Sequence, residues 1–172
     1  MDHADRERLA ELLLAGGALE LEPGAELPLR WAEDRALGNE KLRRSLTEAL
    51  AGLVREHYAA GEAVLGDVWG AETARILGLP FAPEPLPGRL VVIAGSSEGM
   101  KRFLPELTAL RQAGGNPAAA VIWNSGEEEL RLWLDRADIR LHWLTDLENG
   151  AAAALRAGSL DFSDYCRLLP QE

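Results

Sequence analysis

Near the start of the chain, Arg6 to Leu14 places Leu9, Leu12 and Leu13 at helical spacing, which predicts a helix with one apolar face stopped by Gly16-Gly17. Residues 18 to 37 contain Pro23, Gly24 and Pro28 and read as an irregular or short-strand stretch. A long helix is then expected from about Glu40 to Tyr58. Asn39 would cap it, with Leu42, Leu46, Ala49, Leu53 and, at its end, His57 on the buried face.

Beyond residue 60 the pattern alternates. Ala63 to Val68 reads as a short strand, Ala71 to Leu77 as a short helix ending at Gly78, and Pro80 to Gly88 as a proline-rich connection. Leu90-Val91-Val92-Ile93 is a continuous apolar run, as in a strand buried on both faces. The turn Ala94-Gly95-Ser96-Ser97-Glu98-Gly99 leads into a helix with Phe103, Leu107 and Leu110 inward. Pro105 is tolerated only in a first turn, so that helix begins just before it.

Gly114-Gly115-Asn116-Pro117 turns the chain into a strand from Ala118 to Trp123. Ser125 with Glu128, and Thr145 with Glu148, have the spacing of capping boxes. The first opens a helix burying Leu130, Trp133 and Leu134, the second a helix ending near Gly158, and the strand Ile139 to Trp143 lies between them. Four β-segments joined by crossover helices imply an α/β fold with a mainly parallel, doubly wound sheet and an N-terminal helical segment. One domain over 1–172 is expected, with helices and an irregular segment in 1–60 and the α/β core in 61–172. Ligands of such sheets bind at the carboxyl ends of the strands.

Composition narrows the chemistry. The 172 residues carry 18 basic and 28 acidic side chains, a net charge of −10, which argues against a nucleic-acid or anionic-membrane partner. Lys41 and Lys101 are the only lysines. The amino-terminal residues lack the features of a secretory signal, and no apolar run approaches the ~18 residues of a membrane span, so a cytoplasmic location is expected. Cys166 is the only cysteine, which excludes an internal disulfide and a multi-cysteine zinc site. His3, His57 and His142 have no ligand-like spacing, so no metal site is expected.

Candidate binding residues cluster after the apolar strands. Ser96, Ser97, Gly99, Lys101 and Arg102 form a strand-to-helix turn whose hydroxyls, backbone and two cations suit a phosphate or carboxylate. Glu98 opposes an anion there, and the alternative is an ordinary turn with exposed charges. Trp69, Trp123 and Trp143 each follow or end a strand, with Asp67, Asn124 and Ser125 beside them as further pocket-lining candidates. The indoles would either line a pocket for a small molecule or fill the space and close it. Asp67 and Glu72 read as helix-start and surface charges, His142 as a residue near a strand end, close to the expected site but without a visible catalytic partner, and Cys166 as structural. No residue reads as catalytic.

Several segments share an order and spacing with one known family. These are Leu9-Ala10-Glu11-Leu12-Leu13-Leu14 with Gly17-Ala18-Leu19, Arg35-Ala36-Leu37-Gly38-Asn39, Gly78-Leu79-Pro80, Ala109-Leu110-Arg111-Gln112-Ala113-Gly114 and Ile139-Arg140-Leu141-His142-Trp143-Leu144-Thr145-Asp146-Leu147. Together they resemble an orotate phosphoribosyltransferase of the type I phosphoribosyltransferase family. The resemblance implies that family's scaffold, a homodimer and, for an active enzyme, magnesium.

The motif expected after the central strand departs from the family. Ala94 and Gly95 stand where the resemblance implies two ribose-binding aspartates, and Glu98-Gly99-Met100-Lys101-Arg102 stands where it implies the phosphate loop. The proline-rich linker takes the place of a mobile loop bearing lysine and histidine, and Asn124-Ser125 that of an Asp-Arg pair. A pyrophosphate leaving group needs cations aimed at developing charge. The expectation is therefore a protein that has lost transferase activity and serves a ligand-binding or regulatory role. The alternatives are an active divergent enzyme of pyrimidine nucleotide metabolism, with magnesium on carboxylates such as Glu98 and Asp67, and a structural partner of an active family member.

Overall fold

The computed structural model describes residues 1–22, 25, 29–58, 63–82 and 90–169. Pro23, Gly24, Pro28 and residues 83–88 of the proline-rich connection lie outside the described residues. Contacts gather into two compact units, 1–44 with 145–172, and 45–144.

In the first unit, helix α1 (His3–Ala15) opens on a reciprocal cap. Asp2 accepts from the Asp5 N–H at 2.8 Å, and Asp5 accepts from the Asp2 N–H at 3.3 Å. Leu9, Ala10 and Leu13 are buried, whereas Leu12 is 49% exposed, so the apolar face is turned from the expected one. Strands β1 (Leu19–Leu21) and β2 (Leu29–Trp31) pair antiparallel, and helix α2 (Glu33–Gly38) follows. The stretch read as irregular or short-strand thus holds two short strands, and helix α2 is an addition to that reading.

Helix α8 (Leu147–Arg156) packs on α1, its small buried residues Gly150, Ala151, Ala153 and Ala154 allowing close approach. Arg156 ties the pair at the surface through Glu7 (3.3 Å) and Glu11 (3.1 Å). The α8 cap is Asp146, which accepts from the Asn149 N–H at 3.0 Å, and not Thr145. Thr145 is fully buried and donates instead to the Arg6 carbonyl (3.1 Å). Helix α9 (Phe162–Leu168) leaves Cys166 exposed.

Helix α3 (Glu40–His57) runs across the boundary between the units. Asn39 caps it as expected, accepting from the Leu42 N–H at 3.1 Å. Leu42, Leu46 and Leu53 are buried, joined by Leu50, Ala51 and Val54; Ala49 is only half-buried and His57 is exposed, which corrects the expected face.

The second unit is built on a four-stranded sheet in the order β3 (Ala63–Gly66), β4 (Leu90–Ser96), β5 (Ala118–Asn124), β6 (Leu141–Asp146). Both β3–β4 and β4–β5 are parallel, and all seven residues of β4 are buried. Helix α4 (Val68–Leu77) follows β3, and Gly78 ends it at φ +66°, in the left-handed region that glycine favours. After β4 come α5 (Ser97–Met100), a 3₁₀ turn (Lys101–Phe103) and α6 (Leu104–Gln112), which begins with Pro105 in its first turn. Helix α7 (Glu128–Arg136) joins β5 to β6. Its first residue follows Glu127 with no side-chain cap, so the expected Ser125 box does not form. The core gathers Leu65, Val92, Met100, Leu107, Val121, Leu130 and Leu134. The mainly parallel α/β architecture expected from the alternation is the one observed.

Candidate functional site

At the carboxyl end of β4, polar groups of the chain bind one another. Asp67 caps α4 by accepting from the Trp69 N–H (2.9 Å), and its other oxygen accepts from the Gly95 N–H (2.9 Å). Ser96 takes the next donor, its hydroxyl accepting from the Gly99 N–H at 3.1 Å. Ser97 is fully buried; its hydroxyl accepts from the Ser125 N–H (3.1 Å) and lies 2.8 Å from the Ser125 hydroxyl. That bridge explains the missing α7 cap: Ser125 ties β5 to the turn after β4.

The cations of the turn are arranged differently. Lys101 is ion-paired with Glu127, and Arg102 is exposed. The hydrogen bond from Lys101 to Glu127 raises the ammonium above the ordinary lysine value of 10.5; modest burial opposes this, and the nearby charges of Glu127, Glu98 and Glu129 add to it.

Two predictions follow from these bonds. In Asp67→Asn the amide can present one acceptor but turns N–H donors toward the second N–H, so about 1–3 kcal/mol of stability should be lost in urea titrations. The Lys101 pair should stabilise the fold by no more than about 1 kcal/mol, because both side chains touch solvent. A raised folded value means this contribution is fully present below pH 10.5 and fades as pH rises through the folded value. The stability gap between the wild type and Lys101→Met should thus be flat from neutral pH to about pH 10 and close above it, as read by denaturation at each pH.

The tryptophans divide. Trp69 lies in the first turn of α4 rather than on a strand and is 0% exposed, and Trp123, paired in register with Ser96, is 2% exposed. Both fill space. Trp143 is half-buried, packed on the core with its remaining surface facing a cavity of about 520 Å³. This cavity runs between α7 and β6, walled by Leu130, Leu134 and Leu141 with Arg131, Arg140 and His142. Of the expected pocket residues, Asn124 and Trp143 line it, whereas Asp67, Trp69, Trp123 and Ser125 do not.

His142 stacks on His57 with ring centroids 4.2 Å apart, and Tyr58 meets it edge-on at 5.5 Å. Arg131, Arg140 and His142 were not apparent as a site from sequence, because they become neighbours only when α7 lies against β6. The one local signal was Leu130 and Leu134 on a single helical face with Arg131 beside them. Among the described residues, no group of three or more His, Cys, Asp or Glu is placed to hold a metal ion, and no helix is long and apolar enough to cross a membrane.

Neither a protein-family model nor a curated protein matches the sequence. Solved structures do match. Orotate phosphoribosyltransferase from Aeropyrum pernix superposes with a TM-score of 0.67 at 22% identity, covering 89% of this chain and 99% of that one. The Mycobacterium tuberculosis orotate phosphoribosyltransferase in complex with 5-phospho-α-D-ribosyl 1-diphosphate gives 0.61 at 14% identity, over 84% of this chain and 98% of that one. This chain has a type I phosphoribosyltransferase fold. Leishmania donovani UMP synthase superposes over 94% of this chain, with a TM-score of 0.72 at 13% identity. The chain spans only 41% of that longer protein. The phosphoribosyltransferase fold accounts for the shared order of the scaffold segments, and the orotate-type resemblance read from them stands.

Proposed function

We propose that this phosphoribosyltransferase-fold protein does not transfer phosphoribosyl groups and instead works by binding a small molecule, in a ligand-binding or regulatory role. The observation that carries this reading is the Asp67 carboxylate bonded to the Gly95 N–H. The neighbouring positions 94 and 95, where the resemblance implies ribose-binding aspartates, are a buried alanine and a buried glycine. A fixed carboxylate repels a pyrophosphate arriving at the same turn. The residues present do not fit a magnesium ion on the ribose hydroxyls: Ala94 and Gly95 offer no carboxylate, and both Asp67 oxygens already accept backbone N–H bonds. A homodimer in the cytoplasm belongs to the same reading, and sedimentation reads the dimer directly.

Purified protein incubated with orotate, phosphoribosyl pyrophosphate and magnesium tests the proposal, with orotate followed by its absorbance. The expected result is no consumption above a protein-free control. Appreciable turnover that a Glu98 or Asp67 substitution abolishes would overturn the proposal in favour of a divergent transferase.

A further inference from the structure

No residue of the turn after β4 lines the cavity between α7 and β6, although Glu127 in its wall pairs with Lys101 of that turn, and the wall has a chemistry of its own. Its volume of about 520 Å³ is within the range of small-molecule pockets. Its apolar part comes from Leu130 and Leu134 on α7 and Leu141 and Trp143 on β6. Two of its carboxylates are already neutralised, Asp138 by Arg111 at 2.7 Å and Glu127 by Lys101. Arg131 only grazes the exposed Glu128 at 3.9 Å. Arg140 has no side-chain partner among the described residues, and neither has Asp135.

Asn124 adds to this asymmetry. Its side-chain oxygen accepts from the Gly126 N–H at 3.0 Å, which leaves its two amide N–H donors for another acceptor. Donors not engaged within the chain are thus presented by Arg140, level with the start of β5, and by Asn124 at its other end, with the weakly held Arg131 also in the wall, against the single carboxylate of Asp135. In a chain of net charge −10, a concave apolar wall with surplus guanidinium groups favours an anion with an apolar body.

We propose that this cavity binds a small monocarboxylic acid, its hydrocarbon part against Leu130, Leu134 and Trp143 and its carboxylate on Arg140. The proposal deepens the non-catalytic reading by giving the bound molecule a place and a class, and the two fail separately. Turnover of orotate would overturn that reading and leave this cavity's ligand to its own titration.

The test is a ¹⁵N-NMR titration of the full chain, following the Trp143 indole N–H, which is assigned by its absence in Trp143→Phe. Octanoate and 3-phenylpropionate are the probes, so that an alkyl and an aryl body are compared, with octylamine and inorganic phosphate as controls. Saturable shifts at Trp143 with a Kd at or below about 1 mM, common for ligands of about ten non-hydrogen atoms, are expected from one or both acids. The better of the two identifies the body that the wall prefers. Arg140→Gln, at an exposed position, should raise that Kd about tenfold or more. The proposal is overturned if neither acid shifts Trp143 at 10 mM (about ten times that Kd), if octylamine or phosphate matches the acids, or if Arg140→Gln leaves the Kd unchanged.

Discussion

Replacing Gly66 with alanine is expected to cost about 3 kcal/mol or more. Gly66 is the last residue of β3, in register with Ile93 of β4, and a methyl carbon built on it would lie 2.0 Å from the Ile93 carbonyl oxygen. The obstacle is backbone in the central, fully buried strand, so no side chain can swing aside. Relief requires β3 to move away from β4, and the Asp67 N–H donates to that same Ile93 carbonyl at 3.3 Å. The strain would therefore pass directly to Asp67 and the turn after β4. Urea denaturation measures the loss. A change below about 1 kcal/mol would mean that the two strands can separate without penalty, contrary to the packing described.

Trp69→Ala should lose about 3–5 kcal/mol, the range for truncating a fully buried large side chain. Trp69 is 0% exposed in the first turn of α4. The same change at the half-buried Trp143 removes a ring that already borders a cavity, and should cost clearly less. The comparison separates an indole that fills space from one that lines it. Rescue sharpens the contrast. Indole added to Trp69→Ala should re-enter the vacated space and restore stability by mass action, about 1.4 kcal/mol at ten times its Kd. Thermal melts with and without indole give the answer, and the absence of any rescue would show that the surroundings collapse onto the missing ring.

Much of the architecture was legible because burial leaves a periodic trace. The unbroken run Leu90-Val91-Val92-Ile93 matched the pattern of a strand covered on both faces, and it lies inside the sheet with β3 and β5 on either side. Asn39 before a strongly amphipathic stretch, and Gly78 after a short one, mark helix ends through local backbone chemistry, and both hold in the structure. Where the reading failed, a local rule met a longer-range competitor. Ser125 and Thr145 had capping spacing, yet Ser97, 28 residues from Ser125, claimed the first, and the Arg6 carbonyl, 139 residues from Thr145, claimed the second. A buried hydroxyl must find a partner wherever the fold supplies one, and a helix start can be completed by the next residue, as Asp146 does.

The same distinction applies to the candidate site. Sequence by itself determined the α/β alternation, the order of scaffold segments and the absence of carboxylates at positions 94 and 95, since each is a matter of residue type at a position. Only the tertiary structure decided that Asp67 reaches the Gly95 N–H, that Trp69 and Trp123 are packed while Trp143 borders open space, and that Arg140, Asn124 and Leu130 share one wall. These facts depend on the register between parallel strands and on where a crossover helix comes to rest. Both are set by the packing of the whole sheet, which no local pattern along the chain encodes.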